Sequence, residues 1–134
     1  MAAEDSDLSP FGNLLGVEWL SQEPDDARAQ IEVRDELMQP YGYLHGGVIT
    51  SIIDELCSRS TVIQVLMDGM VALAQTVDVS LLRSVKEGTV TVTARARHRG
   101  KSSWIWEAEA TDGEGRLCAL AKVTVAVRPF ERAS

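Results

Sequence analysis

The chain has 134 residues, enough for one domain with a sizeable core. Its formal net charge of -7 at pH 7 argues against nonspecific nucleic-acid binding, which needs a basic surface. No uncharged apolar run reaches the length of a membrane span, and the acidic N-terminus lacks the basic and apolar regions of a secretory signal. We therefore expect a cytoplasmic protein with neither a nucleic-acid nor a membrane partner.

The first predicted elements are a tail and a hairpin. Residues 1–10 are expected to be a disordered acidic tail, and residues 11–130 to form a single domain. Residues 16–20 and 27–33 alternate apolar with polar side chains, and the turn signal Glu23-Pro24-Asp25-Asp26 separates them. This pattern predicts two strands joined by a tight turn.

A long helix and four strands are predicted to follow. After a loop at about 35–44, apolar positions recur at three- and four-residue steps up to Asp68-Gly69, which predicts a buried helix. Four strand-like segments come next, at about 70–83, 89–98, 102–111 and 117–127. The order predicts an α+β fold in which a curved antiparallel sheet wraps around one helix. Because one helix leaves some sheet edge or face open, we expect self-association.

The candidate chemistry lies at the start of this helix. Gly46 and Gly47 begin the helix. The start of a helix offers free backbone N–H groups and the positive end of the helix dipole, and glycine there lets a substrate approach the backbone closely. Asp54 lies two turns further on, in a polar stripe of an otherwise apolar helix that also contains Thr50, Ser51 and Ser58. Such a carboxylate is costly unless it is hydrogen-bonded or functional. A purely structural stripe, with each hydroxyl bonded to the carbonyl one turn back, is the alternative.

The motif Gly42-x-x-His45-Gly46-Gly47, with an acid nine positions after His45, resembles the hotdog-fold acyl-CoA thioesterases. The match is closest to the 4-hydroxybenzoyl-CoA thioesterase group, whose catalytic acid lies on the central helix. Further similarity lies in residues 85–88, 104–106, 115–119 and 125–129. The resemblance implies a hotdog fold, hydrolysis of an aryl-CoA to the free acid and coenzyme A, and a role in aromatic degradation. It also implies a homotetramer built from two dimers, with no cofactor beyond the coenzyme A of the substrate.

The resemblance also implies site residues. Asp54 matches the catalytic carboxylate, and Gly46 matches the glycine whose N–H polarises the thioester carbonyl. Gln39 matches an amide position fifteen residues before the acid. Ser58 matches a hydroxyl one turn after the acid, which helps to hold the acid or the water. Asp54 would either attack directly to give a mixed anhydride or deprotonate a water, and the sequence leaves both open.

Other candidates concern the substrate and its coenzyme A group. His45 and Gly47 belong to the motif, and for His45 a role in loop structure is favoured over catalysis. Arg83, Ser102 and Arg128 lie in segments similar to the nucleotide-contacting regions of the family, although surface arginines are commonly only solubilising.

Three side-chain predictions do not depend on catalysis. Glu55 projects about 100° around the helix from Asp54, so we expect it at solvent or an interface, paired with Arg59. Trp104 and Trp106 share one face of a strand, where core or subunit packing is favoured over contact with an aromatic acyl group. Cys57 and Cys118 are predicted to be core residues, with no metal site and no disulfide.

Two alternative functions stay open. A dehydratase or hydratase acting on acyl thioesters would pair His45 with an acid. A noncatalytic acyl-CoA-binding protein would bind the thioester without turning it over, and the retained acid at position 54 argues against it.

Overall fold

The computed structural model of the chain describes residues 9–131. Within them, a short helix and a hairpin precede the central helix, and four further strands follow it. The elements are α1 (Pro10–Leu15), β1 (Glu18–Glu23), β2 (Asp26–Glu32), α2 (Gly46–Val65), β3 (Met70–Leu81), β4 (Thr89–Arg99), β5 (Ser103–Thr111) and β6 (Leu117–Pro129). Two single-turn 3-10 helices, Asp35–Leu37 and Leu66–Asp68, lie before and after α2.

The strands of the described residues form one antiparallel sheet in the order β1-β2-β4-β5-β6-β3. Strands β1 and β3 are therefore its edges, and β3 is a long edge strand of 12 residues. The sheet wraps around α2, as the sequence predicts. This arrangement leaves the backbone groups on the outer side of β3 available for pairing with another strand.

The core lies between α2 and the inner face of the sheet. Every second side chain along β5 and the first half of β4 is buried and faces the helix. On the helix, Ile52, Ile53 and Leu56 are fully buried. Trp106 is also fully buried, and its Nε1 donates a hydrogen bond of 2.8 Å to Thr61 Oγ1. Trp104 stacks on Trp106 with 6.1 Å between ring centroids, so the prediction that both tryptophans are packing residues is confirmed.

The N-terminal boundary differs from the predicted one. Of the predicted tail, residues 1–8 lie outside the described part of the chain. Ser9 and Pro10, however, begin α1: the Ser9 hydroxyl accepts the Gly12 N–H at 3.2 Å, and Pro10 occupies the first turn. Serine suits the N-cap and proline suits the first helical position, because its missing N–H would have no partner there.

Both cysteines lie in the core, as predicted, and each is a free thiol. Burial raises the pKa of both thiols, and for Cys57 the nearby Asp54 carboxylate adds to the effect. Among residues 9–131, no group of three or more histidine, cysteine, aspartate or glutamate side chains is placed to hold a metal ion. Neither of the two α-helices in that range is both long and apolar enough to cross a membrane.

Candidate active site

The first turn of α2 is organised by His45. Its backbone is extended, with φ of -64° and ψ of 130°, and its side chain caps the helix. Nδ1 accepts the Gly47 N–H at 3.0 Å, and the His45 carbonyl accepts the Val48 N–H at 3.0 Å. With Nδ1 acting as an acceptor, the neutral ring carries its proton on Nε2. The contact fits the interpretation of His45 as a residue of loop structure.

The N–H of Gly46 stays available in this turn. Within residues 9–131, no acceptor lies at hydrogen-bonding distance from it. The φ of Gly46 is not positive, so its backbone alone does not demand glycine. A Cβ at this position would lie 2.3 Å from Leu81 Cδ1, so a side chain here requires the Leu81 side chain to move. Gly46 and Leu81 both line a cavity of about 250 Å³.

Gln39 lines the same cavity. Its side-chain Oε1 accepts the backbone N–H of Tyr41, and the Tyr43 N–H lies 3.5 Å from it. The tight turn between them is made by Gly42, whose φ of +88° favours glycine. Because Oε1 is held by the loop, the amide NH2 is the end left to donate, and within the described residues it has no acceptor. The cavity thus contains two potential donors to an oxygen.

Asp54 lies elsewhere on the helix, in a second cavity of about 700 Å³. The carboxylate is half-buried, and Ser58 Oγ donates to its Oδ1 at 3.2 Å. Apolar side chains form much of the wall, among them Val62, Ile63 and Leu73. The cavity therefore presents a carboxylate, oriented by one hydroxyl, to a largely apolar space that suits an acyl group.

The remaining hydroxyls of the polar stripe have local partners. Thr50 Oγ1 donates to the Gly46 carbonyl at 3.0 Å, and Ser51 Oγ donates to the Gly47 carbonyl at 2.8 Å. Both bonds reach one turn back, so the structural interpretation is correct for these two residues. It does not extend to Ser58, whose hydroxyl contacts the acid itself.

Gly46 and Asp54 are too far apart in one chain to act on the same atom. They are separated by eight residues of α2, which corresponds to about 12 Å along the helix axis at a rise of about 1.5 Å per residue. They also open into different cavities. The donors and the carboxylate can meet on one carbonyl only if two copies of the chain contribute to one site.

Glu55 has a hydrogen-bond partner that the sequence does not predict. Its carboxylate is half-buried and lines the Asp54 cavity, and it accepts a hydrogen bond from Ser9 Oγ at 2.8 Å. The predicted partner Arg59 has its guanidinium 4.6 Å from the centroid of the Trp19 ring. Sequence reasoning missed the contact between Ser9 and Glu55 because Ser9 fell within the predicted tail.

The candidate residues for coenzyme A separate into two groups. Arg83 is exposed and lines the cavity of Gly46 and Gln39. Arg128 and Ser102 lie together at the other end of the sheet, where Arg128 Nη1 donates to the Ser102 carbonyl at 2.8 Å. Register places Arg128 opposite Val71, which lines the Asp54 cavity. Arg83 thus lines the cavity of the donors, whereas Arg128 lies on the strand next to one that lines the cavity of the acid.

Comparisons with known proteins show which family the chain belongs to. Residues 41–119 match the family model described as the thioesterase superfamily. The chain is 35% identical to a protein of Listeria monocytogenes named 1,4-dihydroxy-2-naphthoyl-CoA hydrolase, over 85% of this chain and 92% of the relative. A Pseudomonas aeruginosa thioesterase, solved as a glutamine-to-alanine variant, superimposes with a TM-score of 0.88 at 27% identity, covering 95% of this chain and 91% of that one.

A third similar protein comes from Staphylococcus aureus. Its glutamate-to-alanine variant has a TM-score of 0.85 at 28% identity, covering 89% of this chain and 98% of the other. The same protein, described as a thioesterase enzyme, has also been solved as a glutamine-to-alanine variant. The match to the family model covers the helix start, Asp54, the strands β3, β4 and β5, and the first three residues of β6. The chain therefore belongs to the thioesterase superfamily, has the hotdog fold of that family and is a thioester hydrolase.

Proposed function

We propose that this protein hydrolyses an aryl-CoA thioester, of the kind represented by 4-hydroxybenzoyl-CoA, to the free acid and coenzyme A. The observation that carries the proposal is the Asp54 carboxylate, which Ser58 holds in the lining of a largely apolar cavity. The name of the Listeria monocytogenes relative, a naphthoyl-CoA hydrolase, supports an aromatic acyl group.

In the proposed reaction, the thioester carbonyl oxygen accepts hydrogen bonds from the Gly46 N–H and the Gln39 amide. These donors and the helix dipole stabilise the negative charge that develops on that oxygen. Asp54 either attacks the carbonyl carbon itself or removes a proton from a water that attacks it. The C–S bond then breaks and coenzyme A leaves as a thiolate, which is stable enough to need no strong acid.

The variants of the Staphylococcus aureus protein support the pairing of an amide with an acid. Its two substituted residues, a glutamine and a glutamate, are fifteen positions apart. Gln39 and Asp54 have the same spacing in this chain. We propose that Asp54 fills the role of that glutamate with a side chain one methylene shorter.

The site is proposed to form between two subunits that pair through β3. Antiparallel pairing of this edge with its copy would bring its first residues beside the last residues of the partner's strand. Val71 and Leu73 line the Asp54 cavity, whereas Leu81 lines the Gly46 cavity. The pairing would therefore join Asp54 of one subunit to Gly46 of the partner subunit. We propose a dimer of this kind, and by family resemblance a tetramer of two dimers with coenzyme A held near Arg83, Ser102 and Arg128.

Subunit complementation tests this assembly. The Asp54→Asn and Gly46→Ala proteins should each lose at least about 10²-fold in activity, but subunits exchanged at equal concentrations should recover about a quarter of wild-type activity. Half of the dimers would then be mixed, and each mixed dimer would hold one intact site out of two. No recovery despite confirmed mixed dimers, or sedimentation of the wild type as an active monomer, would contradict a shared site.

A thiol-release assay across acyl-CoA substrates tests the function. We expect turnover of benzoyl-CoA and 4-hydroxybenzoyl-CoA with higher kcat/KM than of butyryl-CoA or palmitoyl-CoA. An absorbance change with crotonyl-CoA in the absence of thiol release would instead identify a hydratase. Saturable binding of every thioester without turnover would identify a binding protein.

A further inference from the structure

Helix α1 is attached to α2 by a specific hydrogen bond. Ser9 Oγ lies 2.8 Å from both carboxylate oxygens of Glu55, 46 residues further along the chain, and donates its proton to that group. The same oxygen accepts the Gly12 N–H at 3.2 Å. Ser9 is only 8% exposed, so the bond is largely shielded from water. A hydrogen bond to a carboxylate in such a place is among the stronger ones in proteins.

The backbone of α1 fits closely against this contact. A Cβ at Gly12 would lie 2.7 Å from Ser9 Oγ, 2.8 Å from Glu55 Oε2 and 3.0 Å from Trp19 Cζ2. Glycine at position 12 therefore permits an approach that any side chain would prevent. The position of α1 relative to the Asp54 cavity is thus fixed by packing as well as by the hydrogen bond.

This attachment places an aromatic ring at the cavity. Phe11 follows Ser9 by two residues, lines the Asp54 cavity and is 49% exposed. An exposed ring beside a largely apolar space offers a face to another aromatic group. Leu14 lies on the same short helix and is 69% exposed, but it does not line that cavity. The two residues thus differ in whether an acyl group in the cavity could contact them.

We infer that Phe11 determines specificity for an aromatic acyl group, and that Glu55 is a positioning residue that holds α1 in place through Ser9. The inference rests on the proposed function, since it assumes that the acyl group occupies the Asp54 cavity. It assigns to α1 a part of the substrate site, and to Glu55 a role distinct from that of Asp54.

The test is the ratio of kcat/KM for benzoyl-CoA to that for butyryl-CoA. Phe11→Ala should lower this ratio by about five- to tenfold, because a ring-to-ring contact is lost with the aryl substrate alone. Leu14→Ala, the matched control on the same helix, should leave the ratio and both rates unchanged. Melting temperatures of both variants would show whether the fold is intact.

Glu55 is tested with the same ratio. Glu55→Ala removes the acceptor for Ser9 and should lower the ratio as Phe11→Ala does, whereas Glu55→Gln keeps an acceptor oxygen and should retain most of it. A ratio unchanged by Phe11→Ala, or shifted equally by Leu14→Ala, would overturn the inference while the proposed function stands. If the wild type hydrolyses palmitoyl-CoA but neither benzoyl-CoA nor 4-hydroxybenzoyl-CoA, the proposed substrate class is wrong and the inference fails with it.

Discussion

Replacement of Asp54 by asparagine is expected to lower kcat by at least about 10²–10⁴, the range typical of lost acid–base catalysis. Asparagine keeps the size of the side chain and can still accept the Ser58 hydrogen bond, which is 3.2 Å long in the native protein. It cannot attack a carbonyl as a carboxylate does, and it cannot accept a proton from water. Steady-state thiol release, with a melting curve to confirm folding, measures the effect.

The matched control is Glu55→Gln, one residue away and in the same cavity. Its loss of kcat should be far smaller, because the amide retains an oxygen for the Ser9 hydroxyl and Glu55 takes no part in the proposed chemistry. A loss as large as that of Asp54→Asn would mean that the wrong carboxylate has been assigned. Near-normal turnover of Asp54→Asn would remove Asp54 from the mechanism.

Gly46→Ala is expected to lower kcat/KM by about 10²–10³, the usual effect of impairing one oxyanion donor. The substitution keeps the N–H but adds a methyl group where the thioester carbonyl is proposed to bind. The pH profile of the remaining activity should change little because Asp54 is untouched, whereas Asp54→Asn should remove the part of that profile due to the acid. Rates across a pH series for both variants provide the comparison.

The structure shows which controls Gly46→Ala needs. The new methyl group would meet Leu81 Cδ1 at 2.3 Å, so Leu81 must move. The double variant Gly46→Ala with Leu81→Ala relieves that contact. If the methyl group blocks the carbonyl, kcat/KM of the double variant should remain lower than that of Leu81→Ala alone. Recovery to the level of Leu81→Ala would trace the loss to the displaced leucine instead.

Gly47→Ala is the second control, because its Cβ would lie 3.2 Å from the capping nitrogen of His45. Gly47→Ala should lower the melting temperature, because it disturbs the cap of α2, and should lower kcat/KM less than Gly46→Ala does. If Gly46→Ala and Gly47→Ala lower the activity equally, and also lower the melting temperature equally, the glycines are only structural and the oxyanion assignment is wrong.

The sequence by itself determined the order and type of the main elements. The apolar spacing of α2 and the alternation along β4 and β5 are local periodic patterns, and each matches the geometry of the element that it forms. The predicted helix start at Gly46 and the predicted strand starts at residues 70, 89 and 117 coincide with the observed ones. The motif around His45 and the spacing to Asp54 also sufficed for the resemblance to the hotdog thioesterases, since both are short-range features of the chain.

Only the tertiary structure decided which side chains meet. Ser9 and Glu55 are 46 residues apart, and neither their hydrogen bond nor the approach of Leu81 to Gly46 leaves a periodic signal in the sequence. The division of the candidate residues between two cavities likewise follows from the length of α2 and from the position of β3 at the sheet edge. Such contacts depend on how elements pack across the whole sheet, and a pattern read along the chain carries no information about those distances.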